Sequence, residues 1–266
     1  MSPRRASGRK LIGALLPIIL VIALAFVGLT AWLVYGATRP PRRPYLITPE
    51  GFRRLSDRGL KATFAVNGTA CEVYEEACAA AREAGWEFMG HGFVQRPMHT
   101  VEDQSRAIAD TIKLISDFTG KPVRGWESPG LTETDETIDL LAEAGIEYVA
   151  DWVLDEQPVP IRTRAGEIVS VPYTVEVNDV VISAVQQQGS DEIFRRGRDQ
   201  FDRLWQDGAA APRVMAISIH PYLTGVPHRI KYLEALYDHI LGHDGVVMWT
   251  GAEILDWYRG QVAGGP

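Results

Sequence analysis

Two histidines in the stretch WEFMGHGFVQRPMH (86–99) have the type and spacing of residues that could do chemistry. His91 follows an apolar run that ends at Gly90, the pattern of a buried strand that delivers a side chain to the mouth of a site. His99 closes the same loop eight residues later. Together they could ligate a metal ion such as zinc. Alternatively, His91 contacts substrate or caps the strand in solvent, and His99 begins the next helix.

Polar or ionisable residues end five successive predicted strands. They are His91 after 86–90, Glu127 after 123–126, Asp151 after 146–150, Tyr173 at the end of 168–173, and His220 after 213–219. The carboxyl ends of parallel strands share one edge of a sheet, and chemistry takes place there in folds that alternate strand and helix. We therefore expect these five side chains to line one catalytic mouth.

His220 is the strongest single candidate, because it ends the apolar run 213–219 and precedes Tyr222 at a turn. A histidine with a carboxylate neighbour titrates near neutrality and can protonate a leaving nitrogen. Asp151, beside Trp152, is suited to orienting such a histidine through its other ring nitrogen. The alternative is a structural histidine that is hydrogen-bonded to the turn.

The segment RGWESPG (124–130) places two charged residues around the end of a predicted strand. Glu127 could act as a base or bind substrate N–H groups, while Arg124 could orient a carboxylate. An internal salt bridge is the alternative for Arg124. The aromatic residues expected to contact substrate are Trp126, Trp152, Tyr173 and Tyr222.

The elements that must position these residues alternate along the chain. Strands are predicted at 60–66, 86–90, 123–126, 146–150, 168–173, 213–219 and 246–250, and helices at 48–58, 70–84, 99–119, 132–145, 190–207, 228–242 and 251–259. This alternation predicts an α/β fold with a parallel sheet, and the number of strands suits a distorted (β/α) barrel.

The N-terminal region differs from the rest of the chain. Residues 11–36 carry no charge, and 26 apolar residues are enough to span a bilayer, so we predict a single-pass membrane anchor rather than a cleaved signal peptide. A basic tail (1–10) precedes it, and a proline- and arginine-rich linker (37–47) follows. The catalytic domain is expected at 48–260, before a short tail (261–266). The basic tail favours a domain outside the cytoplasm.

The charge distribution excludes one class of partner. The first 43 residues contain seven basic residues and no acid, which leaves 20 basic against 34 acidic residues in the remainder. A domain this acidic repels phosphate backbones, so nucleic acid is not an expected partner.

The order of GHG with a downstream histidine (90–99), RGWESPG (124–130), YVADW (148–152) and ISIHPY (217–222) resembles the polysaccharide deacetylase, or NodB-like, superfamily. It looks most similar to the branch of allantoinase-like and cyclic-imide hydrolases. The resemblance covers about residues 50–260. It implies a distorted (β/α) barrel and hydrolysis of a carbon–nitrogen bond other than a peptide bond.

The same resemblance suggests roles for individual residues. His91 corresponds to the first histidine of the family's His-x-x-x-His metal motif, and His220 to its general acid. Arg124 with Pro129 corresponds to its arginine–proline motif, and Asp151 with Trp152 to its aspartate–tryptophan motif.

Two departures from the family pattern bear on a metal. The second ligand of the metal motif would fall at Gln95, and Glu50 is the only acidic residue before Gly51, so the acidic first strand of the barrel is expected to be missing. Zinc would then have only His91 and His99 as ligands, fewer than the three that catalytic zinc usually takes.

Three functional interpretations follow. The anchor favours N-deacetylation of an amino-sugar polymer, and the incomplete metal motif favours hydrolysis of a small amide or cyclic ureide without a metal. The third is a catalytically degenerate, membrane-anchored domain that binds glycan or a small ligand.

Overall fold

The computed structural model describes residues 58–263. The predicted anchor, the linker, nearly all of the helix predicted at 48–58 and the position of the missing first strand lie outside the described residues. Between residues 58 and 263, no helix has both the length and the apolar character needed to cross a bilayer.

A six-stranded sheet organises the described residues. Its strands are β1 (Thr63–Val66), β2 (Glu87–Gly90), β3 (Gly125–Trp126), β4 (Tyr148–Val149), β5 (Val159–Thr163) and β6 (Gly166–Ser170). The order is β1-β2-β3-β4-β6-β5, with every pair parallel except the β5–β6 hairpin. The parallel sheet is confirmed. The predicted barrel is not, because this sheet is open, with β1 and β5 as its edges.

The helices connect and flank these strands. They are α1 (Ala70–Val73), α2 (Glu75–Glu83), α3 (Gln104–Thr119), α4 (Thr137–Glu143), α5 (Glu192–Asp207), α6 (Pro221–Thr224), α7 (Ile230–Leu241) and α8 (Gly251–Ala263). Helix α3 shows how the sequence sets such bounds. The Asp103 carboxylate accepts from the Arg106 backbone N–H at its start, and Gly120 ends it with a left-handed φ of 69°.

Apolar side chains pack on both faces of the sheet. Successive strand residues point to opposite faces, so Phe88 and Val149 belong to one buried cluster, while Met89 and Tyr148 belong to another. Helix α3 contributes Ile108 and Ile115 to the first cluster, and Leu255 of α8 lies in the second. A third cluster, formed by Phe201, Leu236 and Ile240, joins α5 to α7.

Two predicted strands, 213–219 and 246–250, do not join the sheet, which is why it stays open. The segment 213–219 runs beside irregular chain and makes a single parallel bridge, between Asn178 and Ser218. Every second backbone N–H group of this segment donates to an acceptor in a different part of the chain. For example, the Val214 N–H donates to the Glu156 carbonyl, and the Ser218 N–H donates to the Val177 carbonyl. These partners belong to no strand, so the extended segment builds no continuous ladder.

Candidate active site

His91 emerges directly from the carboxyl end of β2. Its backbone N–H donates to the Val66 carbonyl at 3.1 Å, and its own carbonyl accepts from the Asn67 side chain. The imidazole Nδ1 lies 2.6 Å from the Glu127 carbonyl oxygen, which can only accept, so Nδ1 carries the proton and Nε2 keeps its lone pair. Burial, aided by the charge of His220, lowers the pKa of His91 to about 4. This imidazole is neutral at physiological pH.

Glu127 lies beside His91 at the end of β3. Its backbone N–H donates to the Gly90 carbonyl at 2.9 Å, and its Oε1 is 4.0 Å from His91 Nδ1. Burial raises the pKa of Glu127 to about 7, although the positive charge of His220 opposes the shift. A carboxyl with this pKa can both take and return a proton near neutral pH.

His220 is held by a carboxylate that the sequence interpretation missed. Its Nδ1 lies 2.7 Å from Asp179 Oδ1, and its backbone N–H donates to Asp179 Oδ2 at 2.8 Å. The Thr224 hydroxyl donates to the same Oδ2 at 2.5 Å. Three donors thus fix the Asp179 carboxylate, which directs Nδ1–H of His220 toward itself and leaves Nε2 for a reacting group.

The segment preceding Asp179 explains why that residue was overlooked. A short 3-10 helix (Val175–Val177) precedes it and a π-helix (Val180–Val185) follows it, so no strand periodicity marks its position. The bridge at Asn178 aligns this segment with Ser218, whose carbonyl accepts from the Asp179 N–H at 3.1 Å. The sequence around it, VEVNDVV (175–181), has no apolar run that ends at Asp179, so no pattern in the sequence marked its role.

Asp151 is buried at the end of β4, where its Oδ1 accepts from the Ser128 backbone N–H at 2.6 Å. Burial and the neighbouring Glu133 raise the pKa of Asp151 well above its usual value, and burial raises that of Glu133 as well. The predicted role of Asp151 in orienting the histidine belongs instead to Asp179. Asp151 supports the loop that follows Glu127.

Tyr173 is also buried at this edge of the sheet. Its hydroxyl oxygen accepts from the Asn178 side chain at 2.7 Å. Burial raises its pKa, and the charges of Glu127 and Asp179 act in the same direction. The tyrosine therefore stays a neutral hydroxyl next to both carboxylates. The structure thus gathers the five predicted strand-end residues, together with Asp179, at one edge of the sheet.

Comparisons with known proteins agree with this arrangement. The polysaccharide deacetylase family model matches residues 43–149. A Schizosaccharomyces pombe protein named "Putative polysaccharide deacetylase" is 36% identical over 211 residues, which are 70% of this chain and 64% of that protein. A peptidoglycan deacetylase of Helicobacter pylori is 24% identical over 74% of this chain and 78% of its own length.

The matched region, residues 43–149, belongs to the polysaccharide deacetylase superfamily. The fold of the chain agrees with this, since the crystal structure of Puue allantoinase superposes with a TM-score of 0.76 at 21% identity, over 88% of this chain and 77% of that one. The chain spans just under two thirds of the length of the Schizosaccharomyces pombe relative.

Two residues of the deacetylase motif RGWESPG lie away from the site. Arg124 precedes β3, and its guanidinium pairs with Glu147 at 2.7 Å and Asp256 at 2.6 Å, beside a separate cavity at the amino-terminal edge of the sheet. Trp126 is completely buried, and its Nε1 donates to the Ser128 hydroxyl. The structure therefore makes Arg124 part of an ion-pair network and Trp126 part of the core, not substrate contacts.

Three other predicted residues are exposed. Trp152 follows Asp151 with 40% of its surface accessible, and Tyr222 lies with its ring centroid 5.8 Å from that of His220. Trp152 thus follows one strand-end residue and Tyr222 lies against another, and their contact with a substrate stays a prediction. His99 is exposed in the short 3-10 helix Met98–Thr100, after the loop that leaves His91.

A catalytic zinc ion usually takes three protein ligands that lie close together. In residues 58–263, the histidine, cysteine and carboxylate side chains gather ligand atoms in this way only at Asp202, His239 and His243, which lie outside the strand-end cluster. The Nδ1 of His91 is engaged by a carbonyl oxygen. The described residues of the strand-end cluster therefore do not form a three-ligand metal site.

Proposed function

We propose that the chain is a hydrolase that cleaves a carbon–nitrogen bond other than a peptide bond. The observation that carries this proposal is the buried Glu127 carboxyl, whose pKa is about 7. It lies close enough to His220 for their charges to interact, and His220 is itself held by Asp179. Amide hydrolysis needs a base for water and an acid for the departing nitrogen, and these two residues have the required chemistry.

The proposed reaction uses Glu127 as the base and His220 as the acid. The Glu127 carboxylate takes a proton from a water molecule, whose oxygen attacks the amide carbon. His220, held by Asp179 through Nδ1, then donates a proton from Nε2 to the nitrogen as the carbon–nitrogen bond breaks. The proton on Glu127 returns to His220, which restores both groups and leaves a carboxylic acid and an amine.

Neutral His91 and the Tyr173 hydroxyl complete the cluster. His91 offers a lone pair at Nε2, which can accept a hydrogen bond from the attacking water or from a substrate N–H. Tyr173 keeps its proton because burial raises its pKa, so it can donate to the oxyanion that forms on the substrate.

For the substrate, we propose an N-acetylated amino-sugar polymer. The names of both curated relatives, a polysaccharide and a peptidoglycan deacetylase, support this class. So do the exposed Trp152, Val153 and Leu154, an accessible apolar strip directly after Asp151 that could lie against a sugar ring. Hydrolysis of a small amide or cyclic ureide is the second candidate, since the cluster residues between 58 and 263 do not form the three-ligand set that a catalytic zinc ion usually takes.

The test compares the two substrate classes with purified full-length protein. Acetate release from chitin oligosaccharides and from peptidoglycan would support the polymer, and ring opening of allantoin or a dihydropyrimidine would support the small substrate. Metal content is measured in parallel. Glu127→Gln and His220→Gln should abolish either activity, whereas Asp117→Asn, on the exposed face of α3, should not. If neither substrate is turned over but glycan still binds, the domain is degenerate and the hydrolase proposal fails.

We also propose that residues 11–36 anchor the protein in a membrane, with the domain outside the cytoplasm. The support is the uncharged apolar run and the basic residues before it. Membrane fractionation of the expressing cell tests the anchor, and protease added to intact spheroplasts tests the orientation. Full-length protein in the soluble fraction would overturn the anchor, and a protected domain would overturn the orientation.

A further inference from the structure

A second group of possible ligands lies outside the strand-end cluster, where α5 meets the end of α7. It consists of Asp202, His239 and His243, and one ligand atom of each lies within 4.8 Å of the other two. The Asp202 Oδ1 is 2.6 Å from His239 Nε2. The ring centroids of the two histidines are 4.8 Å apart. None of these residues takes part in the proposed hydrolysis.

The two helices hold this group in place. Buried Phe201, next to Asp202, packs with Leu236 and Ile240 of α7, so the carboxylate and the histidines cannot drift apart without opening that contact. The Phe201 ring also stands edge-on to both imidazoles, with centroids 5.7 Å from His239 and 5.0 Å from His243.

The His243 ring has the orientation typical of a metal ligand. Its Nδ1 lies 2.8 Å from the backbone carbonyl of His239, and this acceptor keeps the proton on Nδ1. The lone pair of Nε2 is therefore available to a cation. Trp205 packs against this ring at 5.0 Å and donates from Nε1 to the Asp244 carbonyl, which restrains the turn after α7.

We propose that Asp202, His239 and His243 bind a divalent transition-metal ion such as Zn²⁺. Two imidazoles and one carboxylate form a common ligand set for zinc, and the spacing of four residues between the histidines places them on one side of a helix end. The Asp202–His239 contact by itself is also the geometry of an ordinary ion pair. An ion pair between Asp202 and His239 does not need His243, yet His243 lies within reach of both residues, as a third metal ligand would.

Small side-chain movements would complete the site. Ligand atoms that each lie about 2.0–2.2 Å from one zinc ion are closer to one another than the separations of up to 4.8 Å between the ligand atoms of Asp202, His239 and His243. The Asp202 and His239 side chains are 43% and 27% exposed, so they have room to adjust and solvent has access. Because the ion would bridge α5 and α7 only in the folded chain, its binding would stabilise the fold.

The test measures zinc binding to full-length protein that carries no histidine tag and has been stripped with a chelator. We expect one zinc ion per chain at this site, and affinity at least about tenfold weaker in both His243→Gln and Asp202→Asn. His228→Gln, which removes an exposed histidine elsewhere, is the matched control and should bind as the wild type does. His91→Gln should also keep the site, which separates it from the strand-end cluster.

Thermal unfolding gives an independent measurement on the same proteins. Zinc should raise the melting temperature of the wild type and of His228→Gln by several degrees, and that of His243→Gln by much less. Circular dichroism without zinc checks that each variant folds. Zinc binding that is undetectable in the wild type, or unchanged in His243→Gln and Asp202→Asn, would overturn the proposal.

Discussion

His220 and Asp179 are joined twice, once through the imidazole and once through the backbone. Asp179 Oδ1 lies 2.7 Å from Nδ1 of the ring, and Oδ2 accepts the backbone N–H of the same histidine at 2.8 Å. A carboxylate that binds both groups fixes the rotation of the ring relative to its own backbone. His220 is therefore oriented before substrate arrives, so less order has to be imposed during the reaction.

Asp179→Asn should lower kcat by about 10²- to 10⁴-fold while changing KM little. The substituted amide can present its NH₂ to Nδ1, which then has no proton, and the neutral ring that results is a much weaker acid for the departing nitrogen than a ring protonated on both nitrogens. Steady-state kinetics measures kcat and KM separately, on whichever substrate the acetate-release and ring-opening assays identify. The matched control is Asp117→Asn, which removes an exposed carboxylate paired with Lys113. Equal losses in both variants would contradict a positioning role.

The sequence was sufficient to locate the strand-end residues, because the carboxyl ends of neighbouring parallel strands must share an edge once the alternation is recognised. That argument holds for His91 and Glu127, at the ends of β2 and β3. The argument also predicted His220 at this edge, but 213–219 does not join the sheet, and His220 is placed there by the bridge at Ser218 and by its contact with Asp179. The argument failed for Arg124, because β3 has only two residues and Arg124 precedes them, on the opposite edge from Glu127.

The sequence could not predict that the sheet stays open or that Asp179 belongs to the site, and the two failures have a related cause. The run 213–219 has strand composition, but whether it pairs depends on the backbone beside it, and that backbone is irregular. The same irregular segment carries Asp179. The periodicity of the sequence therefore did not reveal that 213–219 lies beside the segment around Asn178, nor that this segment contributes Asp179 to the site.

His91 should remain neutral over the whole range in which the protein is folded and active. Its pKa is about 4 in the folded state because of burial, below the ordinary value of 6.5. The unfolded chain then binds a proton that the folded chain does not, so this group destabilises the fold as pH falls from about 6.5 towards 4. An NMR titration of the His91 ring should place its midpoint near pH 4. A His91 midpoint near 6.5 would contradict this account.

Gly125→Ala should prevent β3 from packing against β4. A Cβ at this position would lie 2.1 Å from Cζ of Tyr148 and 2.4 Å from its hydroxyl oxygen, and Tyr148 is held by a hydrogen bond to Glu87. We expect a loss of at least about 1–3 kcal/mol in the free energy of unfolding, measured by urea denaturation.

Gly260→Ala is the matched control for that experiment. A Cβ there meets no atom within 4 Å, and the residue lies inside α8. Alanine should stabilise the helix by about 0.5–1 kcal/mol relative to glycine. If Gly125→Ala unfolds at the same urea concentration as the wild type, the close contact with Tyr148 is not as the structure shows.

Glu127 should control how activity depends on pH. As the base it must be ionised, and burial raises its pKa to about 7, so kcat/KM should rise with pH through about 7 and then level off on that limb. Glu127→Gln should remove this limb and lower the rate by about 10²- to 10⁴-fold. A rising limb that persists in Glu127→Gln would assign the base to another group.

The raised pKa of Glu127 also makes the stability of the fold depend on pH. The sign is opposite to that of an ordinary ion-paired carboxylate, which stabilises the fold as pH rises. The folded pKa, about 7, lies above the usual value of 4.5, so the folded chain holds a proton that the unfolded chain releases between these two values. Stability is therefore lost as pH rises from about 4.5 to 7, by up to about 3 kcal/mol. Glu127→Gln, which cannot ionise, should become more stable relative to the wild type across that window. Urea unfolding of both proteins at pH 5 and pH 8 measures the difference, and an equal offset at the two pH values would show that Glu127 is not buried as a neutral acid.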